Sequence, residues 1–194
     1  MQTKILLLIV SAYLLGGIPF GLLIAKLWKV DIRTEGSGNI GATNVFRTIG
    51  PLPGILVFVL DLLKGFAPVY FAIQTTANHW LIILIGATAI VGHTYPLFLK
   101  FKGGKGAATG LGVLLAIAPD IFAGAVITAF IIIYLTRYVS VGSIITVLLV
   151  TSAFVVLDKP LPYSLICLIV AILIIIRHIP NIKRLIAGKE NKIR

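Results

Sequence analysis

Apolar residues occupy this chain in long blocks parted by short polar segments, without the alternation of a half-buried strand or the one-sided stripe of a surface helix. A bilayer core of roughly 30 Å is crossed by about 20 helical residues. By that ruler the blocks predict helical spans at residues 5–27, 51–73, 80–97, 107–118, 121–136, 139–157 and 161–177. The fourth is short for a crossing: it either lies inside the bundle or begins with residues of the loop before it. Joining the fourth to sixth blocks into one crossing would give five spans and the same final orientation. The turn-like pairs Pro119-Asp120 and Arg137-Tyr138 favour seven. The expected fold is all-α: a polytopic integral membrane protein with about seven transmembrane helices, forming a single domain over residues 1–194.

Composition supports the same class. Of 194 residues, 59% are hydrophobic and 12% charged, against about half and a quarter in a soluble domain. The first block is longer than a signal-peptide core and no small-residue cleavage site follows it, so it is expected to stay as the first span. Cys167, the single cysteine, can form no intrachain disulfide, and sits in an apolar run as a buried thiol would. No duplicated segment suggests a two-fold transporter architecture.

Charge then orients the spans. The net charge of +11 does not imply nucleic acid, because the aromatics fall mostly in apolar runs rather than among the cations. On the seven-span reading one side receives Lys26, Lys29, Arg33, Arg47, Lys100, Lys102, Lys105, Arg137, Arg177, Lys183, Arg184, Lys189, Lys192 and Arg194. The other receives Lys4 and Lys159, and Lys64 lies within a span. Loops rich in Lys and Arg stay cytoplasmic. The amino terminus is therefore expected outside and the carboxyl terminus in the cytoplasm.

Three polar patches fall on that cytoplasmic face. In the first, residues 36–44, Ser37, Gly38, Asn39, Gly41, Thr43 and Asn44 are followed by Arg47: backbone N–H groups, short donors and one forked cation, a set that suits an anion. Gly36, Gly38 and Gly41 satisfy the G-x-G-x-x-G spacing, but between two membrane helices this is a false match to a dinucleotide fingerprint. The plain alternative is a flexible glycine loop. In the second patch, residues 101–106, Gly103 and Gly104 let backbone approach a phosphate while Lys102 and Lys105 neutralise it. It is no P-loop, since Gly106 follows the lysine where Ser or Thr is required. The plain alternative here is a basic loop touching anionic lipid heads. In the third, His178 and Asn181 share a face if helical; a polar cap ending a span is the alternative, and Lys183 to Arg194 reads as a solvated tail.

Some polar residues fall elsewhere. Asp61 and Lys64, i and i+3 in an apolar run, read as an intramembrane pair that is structural or braces the site from behind, with a proton relay as the sharper option. His93 reads as a span-end histidine paired with a carbonyl, and His79 lies on the outer side. No His/Cys/carboxylate cluster suggests a metal, and no cofactor is expected. The site is rich in donors and poor in bases.

Taken together, residues 36–44, the run from Gly92-His93-Thr94-Tyr95-Pro96 through Phe101-Lys102-Gly103-Gly104-Lys105-Gly106-Ala107-Ala108-Thr109, and residues 178–190 resemble the three motifs of the bacterial acyl-phosphate:glycerol-3-phosphate acyltransferase family (PlsY). The resemblance covers essentially the whole chain. It implies a seven-helix fold and transfer of a fatty acyl group from acyl phosphate to the 1-hydroxyl of glycerol 3-phosphate, giving lysophosphatidic acid and phosphate. In keeping with it, none of the histidines is followed by Asp five positions on, the dyad of many other glycerolipid acyltransferases. By the same resemblance, Ser37, Arg47, Lys105, His178 and Asn181 bind glycerol 3-phosphate, with His178, Asn181 and Lys105 taken as catalytic. Asn39, Thr43 and Asn44 with the glycine amides hold the acyl-phosphate head, and Ser140 is a further candidate donor. The base stays open between His178 and a substrate phosphate oxygen. Expected partners are glycerol 3-phosphate, acyl phosphate and membrane lipids. The competing class is an anion or organophosphate transporter.

Overall fold

A computed structural model describes residues 2–193, so Arg194, counted above with the positive side, lies outside the described residues. The described residues form helices α1 (Gln2–Gly16), α2 (Phe20–Leu27), α3 (Ala42–Thr48), α4 (Pro51–Thr75), α5 (His79–Thr94), α6 (Ala107–Ile117), α7 (Pro119–Thr136), α8 (Val139–Val156) and α9 (Leu161–Ile186), with a 3-10 turn at Leu97–Leu99. No strand occurs among them. Six helical segments are long and apolar enough to cross a membrane, and α6 is a shorter apolar helix. The all-α membrane fold is borne out.

Most boundaries follow the apolar blocks, and the exceptions have local causes. The first block breaks between α1 and α2, where Pro19 removes a backbone donor and fixes φ. The fifth begins at Pro119 and stops at Arg137, whose φ of 64° ends the helix in the left-handed region. The last block does not stop at residue 177: α9 runs through Pro180 to Ile186, so His178 and Asn181 sit within the helix, not at its cap.

The chain divides into two compact units, Met1–Ile117 and Ala118–Arg194, each described by itself. In the first, small residues let helices approach backbone to backbone, which is how apolar helices associate where no hydrophobic drive separates them from lipid. A Cβ on Gly92 would collide with the Tyr13 carbonyl of α1, one on Gly65 with the Thr109 carbonyl of α6, and one on Gly112 with the Leu62 carbonyl of α4. The short α6 is thus packed on α4, burying Thr109, Gly112, Val113 and Leu114. In the second unit, α8 turns Gly142 against Ile133 of α7. Large apolar side chains such as Leu6, Phe71, Phe130 and Ile169 stay exposed, as a surface solvated by lipid requires.

Candidate active site

The first polar patch is a loop built on a single buried amide. Asn44, 2% exposed on α3, accepts the Ser37 N–H at 2.9 Å and donates to the carbonyls of Ile32 at 3.2 Å and Glu35 at 2.9 Å. Both amide protons are spent on the protein's own backbone, so Asn44 has none left to donate to a phosphate. Asn44 thus braces the loop that carries Ser37. Gly36 and Gly38, at φ of 57° and 67°, take the left-handed conformation that a Cβ disfavours. Asn39 accepts the Gly41 N–H at 2.9 Å and so shapes the entry to α3. Beneath the loop Ile32, Ile40 and Val45 pack with Ile24, Ala25 and Val57. Ser37 and Gly38 stay exposed above that core, with Asn39, Gly41, Thr43 and Arg47 half-buried. Thr43 and Arg47 are i and i+4, hence on one face of α3. Arg33, just before this loop in the chain, is occupied elsewhere: it grips Asp31 through two side-chain bonds of 2.9 and 2.7 Å. That hydrogen bonding holds the Asp31 carboxyl at about 2.

The second patch leans on the end of α5. Lys100 and Phe101, both non-glycine, take φ of 50° and 62°, strain that a loop keeps only when its surroundings impose it. The Gly103 and Gly104 N–H groups donate to the Thr94 and His93 carbonyls, each at 3.1 Å. These two glycines were expected to let the backbone approach a phosphate. Instead they cap α5, and both glycines are buried because side chains would strike it: a Cβ on Gly103 would meet the His93 carbonyl, and one on Gly104 the His93 Nε2. The loop therefore presents cations rather than glycine amides, with Lys102 exposed and Lys105 half-buried ahead of α6.

In the second unit the third patch centres on a residue that sequence reasoning passed over. Glu190, its side chain 1% exposed, receives the Asn181 amide at 2.6 Å and the Ser140 hydroxyl at 3.0 Å on one oxygen, and Arg184 Nε at 2.7 Å on the other. Burial alone would raise its pKa, but the bonds from Asn181, Arg184 and Ser140 outweigh it and hold the carboxyl below its usual value. Ser140, the further candidate donor, gives its one proton to Glu190. The tail is not simply solvated. Ile193 donates to the Arg137 carbonyl at 2.8 Å, and Lys192 Nζ lies 5.4 Å from the centre of the Tyr138 ring. Helical continuity does put His178 and Asn181 on one buried face. His178 Nδ1 lies 2.7 Å from the Ile174 carbonyl. A carbonyl only accepts, so Nδ1 carries the proton and the neutral ring's lone pair is at Nε2. The signal for Glu190 was present in the sequence: a single carboxylate lies within a basic segment, and such a charge seeks a partner.

Comparison with known proteins agrees with the motif reading. Residues 6–188 match the family model described as glycerol-3-phosphate acyltransferase. The glycerol-3-phosphate acyltransferase of Endomicrobium trichonymphae is 46% identical over 198 residues, covering 100% of this chain and 98% of that one. Two crystal structures of PlsY, an integral membrane glycerol 3-phosphate acyltransferase, superpose closely. Its glycerol 3-phosphate form has a TM-score of 0.95 at 42% identity, and its lysophosphatidic acid form 0.92 at 41%; each covers 98% of this chain and 96% of that chain. The resemblance drawn from the three motifs is borne out, and the chain belongs to the glycerol-3-phosphate acyltransferase family.

Proposed function

We propose that the chain, working as one acyltransferase domain, moves a fatty acyl group from acyl phosphate to the 1-hydroxyl of sn-glycerol 3-phosphate, releasing 1-acyl-glycerol 3-phosphate and phosphate. One observation carries this reading: the solved relative is known in a glycerol 3-phosphate form and a lysophosphatidic acid form. Those two molecules differ by one acyl ester, so they are the acceptor and the product of a single acyl transfer.

The chemistry asks little of side-chain nucleophiles. Acyl phosphate is a mixed anhydride with a good leaving group. The glycerol 1-hydroxyl oxygen bonds to the acyl carbon, the carbon–oxygen bond to phosphate breaks, and the hydroxyl proton ends on a phosphate oxygen. Positioning and charge stabilisation then supply most of the acceleration. In this reading Ser37, Arg47, Lys105, His178 and Asn181 hold glycerol 3-phosphate. Asn39 and Thr43 serve the acyl-phosphate head, and Lys102 adds positive potential. His178 acts by position, and Glu190 orients Asn181. The reaction takes place at the cytoplasmic face of the bacterial inner membrane, with the amino terminus outside and the carboxyl terminus inside, as the cation distribution favours.

The test is purified protein supplied with acyl phosphate and glycerol 3-phosphate. Consumption of both with equimolar phosphate release is expected. In liposomes, movement of labelled glycerol 3-phosphate without consumption of donor would instead establish the transporter class.

A further inference from the structure

α4 buries two charges that the proposed reaction does not use. Asp61 and Lys64 are 2% and 6% exposed, and Lys64 Nζ lies 2.6 Å from Asp61 Oδ1. An apolar pair would fill that space without the cost of desolvating two ions. What the charges add is direction. Lys64 also donates to the Ile18 carbonyl at 2.9 Å, in the break between α1 and α2, and lies 5.5 Å from the centre of the Phe20 ring. On its other side the carboxylate faces α5, with His93 Nδ1 at 3.7 Å from Asp61 Oδ1. That is longer than a hydrogen bond but close enough to align the ring on the charge.

The opposite edge of the His93 ring abuts Gly104. A Cβ there would collide with Nε2, and would lie 2.8 Å from Cε1 and 3.1 Å from Cδ2. The His93 carbonyl takes the Gly104 N–H as well, at 3.1 Å. One residue further on stands Lys105. A line of contacts thus runs from the α1–α2 break through Lys64, Asp61 and His93 to the backbone just before the lysine proposed to bind phosphate.

We propose that Asp61, Lys64 and His93 form a brace that sets the 102–106 loop, with His93 a positioning residue for Lys105. Asp61 orients the imidazole, the imidazole fixes how closely Gly104 lies on α5, and Gly104 fixes where Lys105 leaves the backbone. Lys64 neutralises the carboxylate and ties the brace to the α1–α2 break. The inference rests on the reading of Lys105 as a ligand of glycerol 3-phosphate.

The experiment is steady-state acyl transfer by the purified full-length protein, varying each substrate at saturation of the other. Lys105→Ala, His93→Gln, Asp61→Asn and Gly104→Ala are compared with wild type, as are the last three combined with Lys105→Ala. His93→Gln, Asp61→Asn and Gly104→Ala should each raise KM for glycerol 3-phosphate by at least ~10-fold while KM for acyl phosphate stays within about two-fold. Each should cost much less on a Lys105→Ala background, because residues acting through one group are not additive. Gly104→Ala adds only a methyl and removes no charge, so it keeps the test open if the buried variants fail to fold. An equal rise in both KM values, or full additivity with Lys105→Ala, would overturn the brace. So would an unchanged KM for glycerol 3-phosphate in His93→Gln and Gly104→Ala when Lys105→Ala raises it. If Lys105→Ala itself leaves that KM unchanged, the reading of Lys105 fails first and takes the brace with it.

Discussion

The glycine loops of the first unit and the α9 face of the second reach polar order by opposite routes. Around Ser37 and Lys105 the chain has no regular structure to hold it, and shape comes from backbone bonds: Asn44 gathers Ile32, Glu35 and Ser37, while Gly103 and Gly104 hang on the end of α5. On α9, by contrast, the helix itself sets His178 and Asn181 in register, and one distant carboxylate, Glu190, locks the amide. Loop order is spread over many short bonds to backbone, whereas helix-face order is concentrated in a single acidic residue. The first should fail through backbone variants, the second through pH.

The cations should show the largest effects. Arg47→Ala and Lys105→Ala are each expected to lose at least ~100-fold in kcat/KM, since a charge-assisted bond is worth about 1.5–3 kcal/mol and water exclusion adds to it. Lys192→Ala, which gives up only an exposed contact with Tyr138, should change kcat/KM by less than about two-fold. Equal losses at all three positions would mean that surface charge alone matters.

Loop bracing comes next. Asn44→Ala removes three hydrogen bonds and takes the donor from the buried Ile32 carbonyl, so a loss of about 2–4 kcal/mol of unfolding free energy is expected. Denaturation in detergent measures it, and a melt like that of wild type would show that the loop does not depend on its amide.

On the helix face, His178→Asn should raise KM for glycerol 3-phosphate about ten-fold and keep most of kcat if the ring only positions substrate. A general base would instead take about 10²–10⁴-fold from kcat and remove the limb of the pH profile that follows an imidazole. The Ile174 carbonyl holds Nδ1 of this ring at 2.7 Å.

Glu190 gives the smallest and most pH-specific effect. Its folded pKa lies below the usual value of 4.5. The ionised carboxylate therefore stabilises the fold at pH above that usual value, and the contribution fades as pH falls through the lowered one. Melting temperature should drop over this acid window in wild type, and Glu190→Gln should show a flatter profile. Parallel profiles would detach Glu190 from the stability of the α9 end.

How much of this was legible depended on what each residue's partners were. Apolar block length sufficed for α4, α7 and α8, because lipid rewards an uninterrupted apolar helix. It failed where polarity and helicity part company. α3 is a short helix of mixed polar residues held by packing of Val45, and α9 continues through Pro180 and two basic residues that look like a tail. The cation-bearing positions were visible as motifs, whereas the division of labour among the donors was not. Whether Asn44 faces a ligand or its own loop depends on where Ile32 and Glu35 turn their carbonyls. Glu190 depends on Ser140, fifty residues away. No local spacing encodes such bonds.

The most direct test of the central claim is donor choice. With glycerol 3-phosphate saturating, purified protein is given acyl phosphate or acyl-CoA carrying the same chain, and 1-acyl-glycerol 3-phosphate is measured. A site built of small donors and cations at Ser37, Arg47 and Lys105, where nothing resembles an adenine or pantetheine site, predicts turnover with acyl phosphate and essentially none with acyl-CoA. Comparable rates from the two donors would contradict the account.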